Sequence, residues 1–126
     1  MGCRVLTYVS LPSSLQKLGD GAFYSCSELQ EVNFGSSIAI DKIGSNTFES
    51  CSQLKSISIP SRVEKIGHKA FAGCGSLASV DFGSVQTIEA NAFEECYSLK
   101  SVTLRCNHIL VSTFYDCISL EEVNLI

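Results

Sequence analysis

The 126-residue chain has no run of Lys or Arg, and its 9 basic residues are outnumbered by 13 acidic ones, so a nucleic-acid surface is not expected. No apolar run approaches the roughly 20 residues of a membrane-spanning helix, so we expect no membrane insertion by this chain. Residues 1–14 lack the charged start, apolar middle and small-residue cleavage site of a secretory signal. These absences leave a soluble globular protein as the expectation, and a hydrophobic content of 45% argues against disorder.

Residues that usually carry chemistry are few or far apart. The chain has two histidines, His68 and His108, and no two of its seven cysteines lie closer than ten residues. Zinc sites use closely spaced ligands such as Cys-x-x-Cys, and a nucleophilic cysteine needs a base beside it. We therefore expect no metal, no cofactor and no catalytic activity, and we expect both histidines to be solvated.

A five-fold internal repeat occupies most of the chain instead. Its marker is a phenylalanine that recurs at spacings of 25, 23, 22 and 21 residues. A cysteine follows each phenylalanine by three positions, a leucine follows each cysteine by three, and a Val or Ile follows each leucine by three. A unit of this size cannot bury its own apolar face, so the units are expected to stack on one another.

Each unit combines three kinds of local structure. The end of Leu-x-x-Val-x-Leu has the two-residue period of a strand, and a Val-x-x-Ile phrase forms a second short extended piece. The apolar spacing of three in Ala-Phe-x-x-Cys-x-x-Leu suits one or two helical or 3₁₀ turns. The predicted fold is a leucine-rich-repeat solenoid, a β-dominated α/β fold with a parallel concave sheet, in which residues 1–126 form a single domain of about five repeats. Its strands are predicted as neighbours in one curved parallel sheet, at residues 9–11, 32–34, 57–59, 80–82, 102–104 and 123–125.

The repeat phrase is most complete in residues 54–77, LKSISIPSRVEKIGHKAFAGCGSL, and it resembles the BspA-like class of leucine-rich repeats. The resemblance covers the whole chain and is most specific in Ile-Gly-x-x-Ala-Phe-x-x-Cys. It implies a surface antigen or adhesin that binds host matrix proteins, located at the cell surface or secreted. The chain departs from the pattern where Glu89 and Leu110 replace a turn glycine, where Arg105-Cys106 shortens a turn, and where residues 35–40 are expanded.

The repeat frame also reaches both ends of the chain. Cys3, Leu6, Val9 and Leu11 repeat the Cys-x-x-Leu-x-x-Val-x-Leu series, and the last strand-like segment stops just before Ile126. Neither end shows the polar cap that repeat proteins need for solubility. We expect an excerpt of a longer array, with possible end-to-end self-association through uncapped repeats.

The repeated Phe and Cys are expected to fill the same inward slot of every repeat. Free cysteine behaves as a small buried hydrophobe, so a continuous core ladder is the favoured interpretation, and an occasional disulfide between neighbouring rungs is the alternative. Cys106 lies near the frame position of Val63 and Val85. The predicted ladder comprises Cys3, Cys26, Cys51, Cys74, Cys96 and Cys117 with Phe23, Phe48, Phe71, Phe93 and Phe114.

A partner would meet the side chains that alternate outward from the buried strand positions. The candidate ligand-binding residues on this concave face are Tyr8, Glu31, Asn33, Ser56, Ser58, Ser79, Asp81, Ser101, Thr103, Glu122 and Asn124. A solvated sheet face of small polar residues is the alternative. Binding hot spots favour Trp, Tyr and Arg, whereas the chain has no Trp and places only Tyr8 here, so any site should be shallow, polar and slightly acidic.

Two functions remain open from the sequence. The first is a non-catalytic protein-interaction module, part of a BspA-like surface adhesin or antigen that recognises a host or partner protein through its concave face. The second is an intracellular scaffold on the same fold with a cytoplasmic location, which the odd cysteine count and the missing signal favour.

Overall fold

The strands of the protein lie where the repeat frame places them. The computed structural model describes residues 3–35, 38–105, 108–110 and 112–126, so Cys106 lies outside the described residues. The chain forms a parallel β-solenoid of about five turns, as predicted. In chain order the strands are β1 (Tyr8–Leu11), β2 (Glu31–Phe34), β3 (Lys42–Ile43), β4 (Ser56–Ser58), β5 (Lys65–Ile66), β6 (Ser79–Asp81), β7 (Thr87–Ile88), β8 (Ser101–Leu104), β9 (His108–Ile109) and β10 (Glu122–Leu125).

The first strand row comprises β1, β2, β4, β6, β8 and β10. Each of these strands starts one residue before its predicted start, and β1 pairs with β2, β4 with β6, and β8 with β10, always parallel. Parallel pairing is confirmed, but the expected single sheet is divided into three two-stranded units. Strands of three or four residues make few ladder bonds, so a small separation ends the ladder. The row is therefore interrupted between β2 and β4 and between β6 and β8.

The second strand row is an unbroken four-stranded parallel sheet of β3, β5, β7 and β9. Gly67 follows β5, and a β-carbon there would lie 2.8 Å from the backbone N of Ser45 and 3.0 Å from the carbonyl O of Ile43. The backbone of the preceding repeat therefore leaves no room for a side chain at residue 67. Glu89 stands at the equivalent position after β7, and its carboxylate reaches the Lys65 ammonium at 3.2 Å.

The Phe-x-x-Cys segments form the third side of the solenoid. No α-helix or 3₁₀ helix occurs among the described residues, so the predicted helical turns are not confirmed, and the segments are successive turns with hydrogen bonds between residues three apart. The backbone is left-handed two residues before and after each central phenylalanine, as at Lys69 (φ 54°) and Gly73 (φ 74°) around Phe71. This alternation points the N–H groups of Phe71 and Gly73 along the stack, where they donate to the carbonyls of Ala92 at 2.7 Å and Glu94 at 2.8 Å. Bonds within the segment therefore alternate with bonds between repeats, as the N–H groups of Ala72 and Cys74 donate to Lys69 and Phe71 of their own repeat.

The core is one continuous cluster that runs the length of the stack. Phe48, Phe71 and Phe93 are completely buried, and their rings stack on one another. The centroid distances along the stack are 5.5 Å for Phe23–Phe48, 5.3 Å for Phe48–Phe71, 5.0 Å for Phe71–Phe93 and 5.8 Å for Phe93–Phe114. The repeat therefore places one ring per turn at the same height of the core.

The ladder is incomplete at its ends. Cys26, Cys51, Cys74 and Cys96 are buried, but Cys3 is exposed, so its assignment to the buried core is wrong. Phe23, Phe114 and Cys117 are only half-buried. The physical reason is the same at both ends. The Phe and Cys of one repeat are covered on both sides only when another repeat stacks on each side of them.

Truncation of Phe71 tests this stack. We expect Phe71→Ala to lower the free energy of unfolding by about 3–5 kcal/mol, because the cavity is shared by two neighbouring repeats. The matched control is Phe23→Ala, at the same frame position in the half-buried end rung. It should cost clearly less, as measured by denaturant unfolding followed by circular dichroism. Equal losses at the two positions would contradict a core that is tightest in the middle.

Candidate functional site

The candidate concave face lies along the first strand row, and we call it the front face. All eleven predicted side chains are exposed there, since they alternate with the buried positions of their strands. They are Tyr8, Glu31, Asn33, Ser56, Ser58, Ser79, Asp81, Ser101, Thr103, Glu122 and Asn124. The structure thus places them along one strand row.

Within each pair of strands the front-face residues stand directly beside one another. Tyr8 pairs with Glu31, and Ser58 pairs with Asp81. The side-chain amide of Asn33 donates to the Tyr8 hydroxyl at 3.5 Å, and this is a long, weak bond. The surface is therefore a flat array of short polar groups, most of which are free to contact a partner.

The first interruption of the strand row opens a shallow cleft. This cleft lies between β2 and β4 and has a volume of about 260 Å³. Another cavity, of about 310 Å³, lies away from the front face, around Lys17 and Lys42. Four predicted front-face residues line this cleft, namely Glu31, Asn33, Ser56 and Ser58. It offers one carboxylate, one amide and two hydroxyls, which suits hydrogen-bonding groups of a partner.

The second interruption, between β6 and β8, opens a larger cleft of about 430 Å³. Asp81 and Thr103 line it together with Arg105, which sequence reasoning treated only as a turn residue. The N–H of Gly83 donates to the Asp81 carboxylate at 3.2 Å, so this side chain is held at the rim. The cleft therefore combines a carboxylate and a guanidinium in its lining. Arginine is a frequent hot-spot residue.

The thiols of the ladder bind the backbone of the preceding repeat. The Cys74 thiol donates to the carbonyl O of Phe48 at 3.2 Å, and the same oxygen accepts the N–H of Cys51 at 3.2 Å. The arrangement recurs from Cys51 to Phe23 at 3.2 Å, from Cys96 to Phe71 at 3.3 Å and from Cys117 to Phe93 at 3.1 Å. Cysteine thus fills a small apolar slot and also supplies a weak donor that bridges two repeats.

The inner thiols are poor nucleophiles. Burial raises the pKa of Cys51 to about 12 and raises the pKa of Cys74 well above its ordinary value. A hydrogen bond with Cys117, together with burial, raises the pKa of Cys96, and the same bond lowers the pKa of the half-buried Cys117. Because the thiolate is the reactive form, the interior rungs stay protonated and inert at neutral pH.

Other groups that could carry chemistry are dispersed. His68 and His108 are both exposed. In the described part of the chain, no three His, Cys, Asp or Glu side chains converge to hold a metal ion. Likewise, none of the elements described there is a helix with the length and apolarity to cross a bilayer. The arrangement is that of a repetitive scaffold rather than of a convergent site.

Comparison with known proteins agrees with this architecture. The profile of the BspA type Leucine rich repeat region matches residues 1–121 in six copies. A crystal structure of a T. pallidum leucine-rich repeat protein is similar with a TM-score of 0.85 and 35% identity over 94% of this chain and 58% of that one. A leucine-rich repeat protein from Bacteroides ovatus is 32% identical over 97% of this chain and 38% of that one, with a TM-score of 0.70.

A third structure, a leucine-rich repeat protein from Eubacterium ventriosum, has a TM-score of 0.80 at 23% identity and covers 94% of this chain and 32% of that one. It supports the fold alone. The chain thus spans between about a third and three fifths of the length of these relatives. No curated protein matches the chain.

The thiols give a direct test of the ladder. During maleimide labelling of the native protein, we expect Cys3 and Cys117 to react first, because Cys3 is exposed and the pKa of Cys117 is lowered. Cys51, Cys74 and Cys96 should react only after denaturant is added, as followed by peptide mass spectrometry. Rapid native labelling of Cys74, or stoichiometric bound zinc, would contradict a buried and reduced ladder.

Proposed function

Because the chain belongs to the BspA-type leucine-rich repeat family, we propose that residues 1–126 are a single solenoid that acts as a non-catalytic protein-interaction module. The partner binds across the front face. The observation that carries this proposal is the alignment of eleven exposed polar side chains along one strand row, in register within each strand pair. A surface built on paired backbones is rigid, so little conformational entropy is lost when it binds.

The two clefts of the front face are the anchor points in this proposal. Each lies where the strand row is interrupted, and their volumes of about 430 and 260 Å³ leave room for a side chain of a partner. The larger cleft supplies the Arg105 guanidinium beside Asp81, which can pair with opposite charges of a partner. The smaller cleft supplies Glu31 and two serine hydroxyls. The flat polar rows between them provide complementarity rather than affinity.

We further propose that the module belongs to a surface adhesin or antigen that binds a host matrix protein, as the family resemblance implies. A second candidate is an intracellular scaffold, and the free thiols favour it: six cysteines of the described residues are unpaired. Proteins of oxidising compartments usually pair their thiols. Labelling intact cells with a membrane-impermeant reagent separates the two, since only a surface protein is labelled before lysis.

Charge reversal on the front face tests the binding proposal. Changing Glu31, Asn33, Ser79 and Asp81 to Lys should weaken binding to an immobilised matrix protein by at least tenfold, as measured by biolayer interferometry. Each paired site gains three positive charges in total, and like-charge contacts oppose binding. The variant should remain folded, because exposed substitutions usually alter stability by no more than about 0.5 kcal/mol each, or about 2 kcal/mol for the four together.

The matched control changes Glu28 and Gln53 to Lys. Both are exposed on the turn segments, away from the front face, and together they add the same three positive charges as one front-face pair. The control should therefore be compared with the Glu31 and Asn33 pair alone. Equal weakening by the two variants would mean that overall charge, and not the front face, determines binding.

The open end of the last repeat supports a proposal of end-to-end self-association. Leu125 is 69% exposed, although Leu104 at the same frame position is completely buried, and Val123 is 47% exposed. At the first repeat Val5 is 90% exposed. We propose that the β10 edge of one copy stacks on the first repeat of another, which would cover both apolar edges and extend the strand row.

Lysine at the inward positions of β10 tests this association. We expect the 126-residue chain to form concentration-dependent oligomers in sedimentation velocity, and Val123→Lys with Leu125→Lys to shift it to monomer. Glu122→Lys is the control, since this side chain stands on the same strand but points to the front face. If the wild-type chain sediments as a monomer at every concentration, the proposal of self-association is wrong.

A further inference from the structure

Three large apolar side chains are exposed on the turn segments of the last two repeats. Tyr97 is 42%, Tyr115 56% and Ile118 75% exposed. Tyr97 and Ile118 each follow the ladder cysteine of their repeat, so they occupy the same frame position on neighbouring rungs. The N–H of Glu95 donates to the carbonyl O of Tyr115 at 2.7 Å, which holds the two turn segments side by side.

These residues are not required by the repeat itself. The position after the ladder cysteine is Ser27, Ser52 and Gly75 in the three earlier repeats, and small side chains are sufficient there. Large apolar groups exposed to solvent contribute little to folding and often mark an interaction surface when they are adjacent. The last two repeats thus carry a feature that stacking does not explain.

Tyr97 is held in position by two contacts. Its hydroxyl donates to a carboxylate oxygen of Glu95 at 3.0 Å. Its ring lies over Gly75 of the preceding repeat, where a β-carbon would come within 3.6 Å of the ring Cδ2. Because the hydroxyl and one side of the ring are already held, the side chain loses little conformational entropy when a partner covers its exposed surface.

The two tyrosines stand among acidic residues of their own turn segments. Glu94 and Glu95 shortly precede Tyr97, and Asp116 directly follows Tyr115. The hydrogen bond to Glu95 raises the pKa of Tyr97, and the charges of Asp116 and Glu94 add to the effect. The segments 91–99 and 112–120, NAFEECYSL and STFYDCISL, contain no Lys or Arg. Lys100 follows the first segment and lines a surface cavity with Ile118 and Glu121, so the Ile118 end of the surface carries both signs of charge. A partner that covers the two tyrosines must therefore bring positive charge to them.

We propose that Tyr97, Tyr115 and Ile118, with Glu94, Glu95 and Asp116, form a docking surface, the turn-side patch, for an arginine-rich extended segment of a partner protein. Guanidinium planes stack on the tyrosine rings and pair with the carboxylates, while the arginine methylenes cover Ile118. Arginine fits better than lysine because its planar group can stack and bridge a carboxylate at the same time. The patch lies on the turn segments and is independent of the front face.

The test uses a capped nonapeptide of alternating glycine and arginine as the probe. It is titrated into the isotope-labelled 126-residue chain at low salt, and chemical shifts are followed by NMR. Shift changes should be centred on Tyr97, Tyr115 and Asp116. Tyr97→Ala with Tyr115→Ala should weaken binding about tenfold, since an exposed cation–π contact contributes about twofold to fivefold for each ring. Replacing arginine by lysine in the peptide should weaken it by a smaller factor.

Tyr24→Ala is the matched control. Tyr24 follows Phe23 as Tyr115 follows Phe114, and it is 42% exposed, as Tyr97 is. Its turn segment lacks the acidic pair that precedes Cys96. This variant should bind like the wild type, and so should Glu28→Gln, which removes one exposed carboxylate from the turn segment of an earlier repeat. Shifts centred on the front face, or unchanged affinity in the double tyrosine variant, would overturn the proposal. Those results would leave the front-face proposal untouched, because its test uses different residues and a different ligand.

Discussion

Each repeat of this protein completes its hydrogen bonds only on its neighbours. The N–H groups of Phe71 and Gly73 donate to the next repeat, and the Cys74 thiol donates to the preceding one. A repeat without neighbours would leave these groups unpaired and its phenylalanine exposed, so stability is shared between adjacent turns rather than contained within one. The two strand rows, the stacked rings and the half-buried end rungs all follow from this single dependence.

The same dependence explains what could be predicted from the sequence. Apolar side chains repeat because the core positions they fill repeat. The solenoid, its parallel strands and the burial of Phe48, Phe71 and Phe93 could therefore be predicted from the sequence. The conformation of the turn segments could not be predicted, because an apolar spacing of three is common to a helix and to successive turns. What distinguishes them is the left-handed backbone at residues such as Lys69 and Glu95, and only an occasional glycine marks it. A non-glycine residue in that region costs about 1 kcal/mol or more, which the bonds between repeats must offset.

The exposure of the candidate front-face residues was predictable, but the shape of the surface was not. Strand alternation is enough to place Glu31 and Asp81 at the surface. The clefts depend on where the hydrogen-bonded pairing of the first strand row is interrupted, and a residue pattern does not show which neighbouring strands are paired. Arg105 was missed for a related reason, because it lies just beyond β8 and was considered only as part of a shortened turn. The residues of the turn-side patch were not predicted, because strand alternation identifies outward side chains only on the strands.

A repetitive scaffold offers a way to separate folding from recognition. Where every copy has the same residue type, the slot itself explains the choice, as for the phenylalanines and cysteines of the ladder. Where one copy departs at an outward position, stacking gives no reason for the departure. Tyr97 and Ile118 depart in this way from the serines and glycine of the earlier repeats, and Glu95 holds the tyrosine in place. In such a fold the informative residues for binding are therefore the exceptions to the repeat, and they need not lie on the strands.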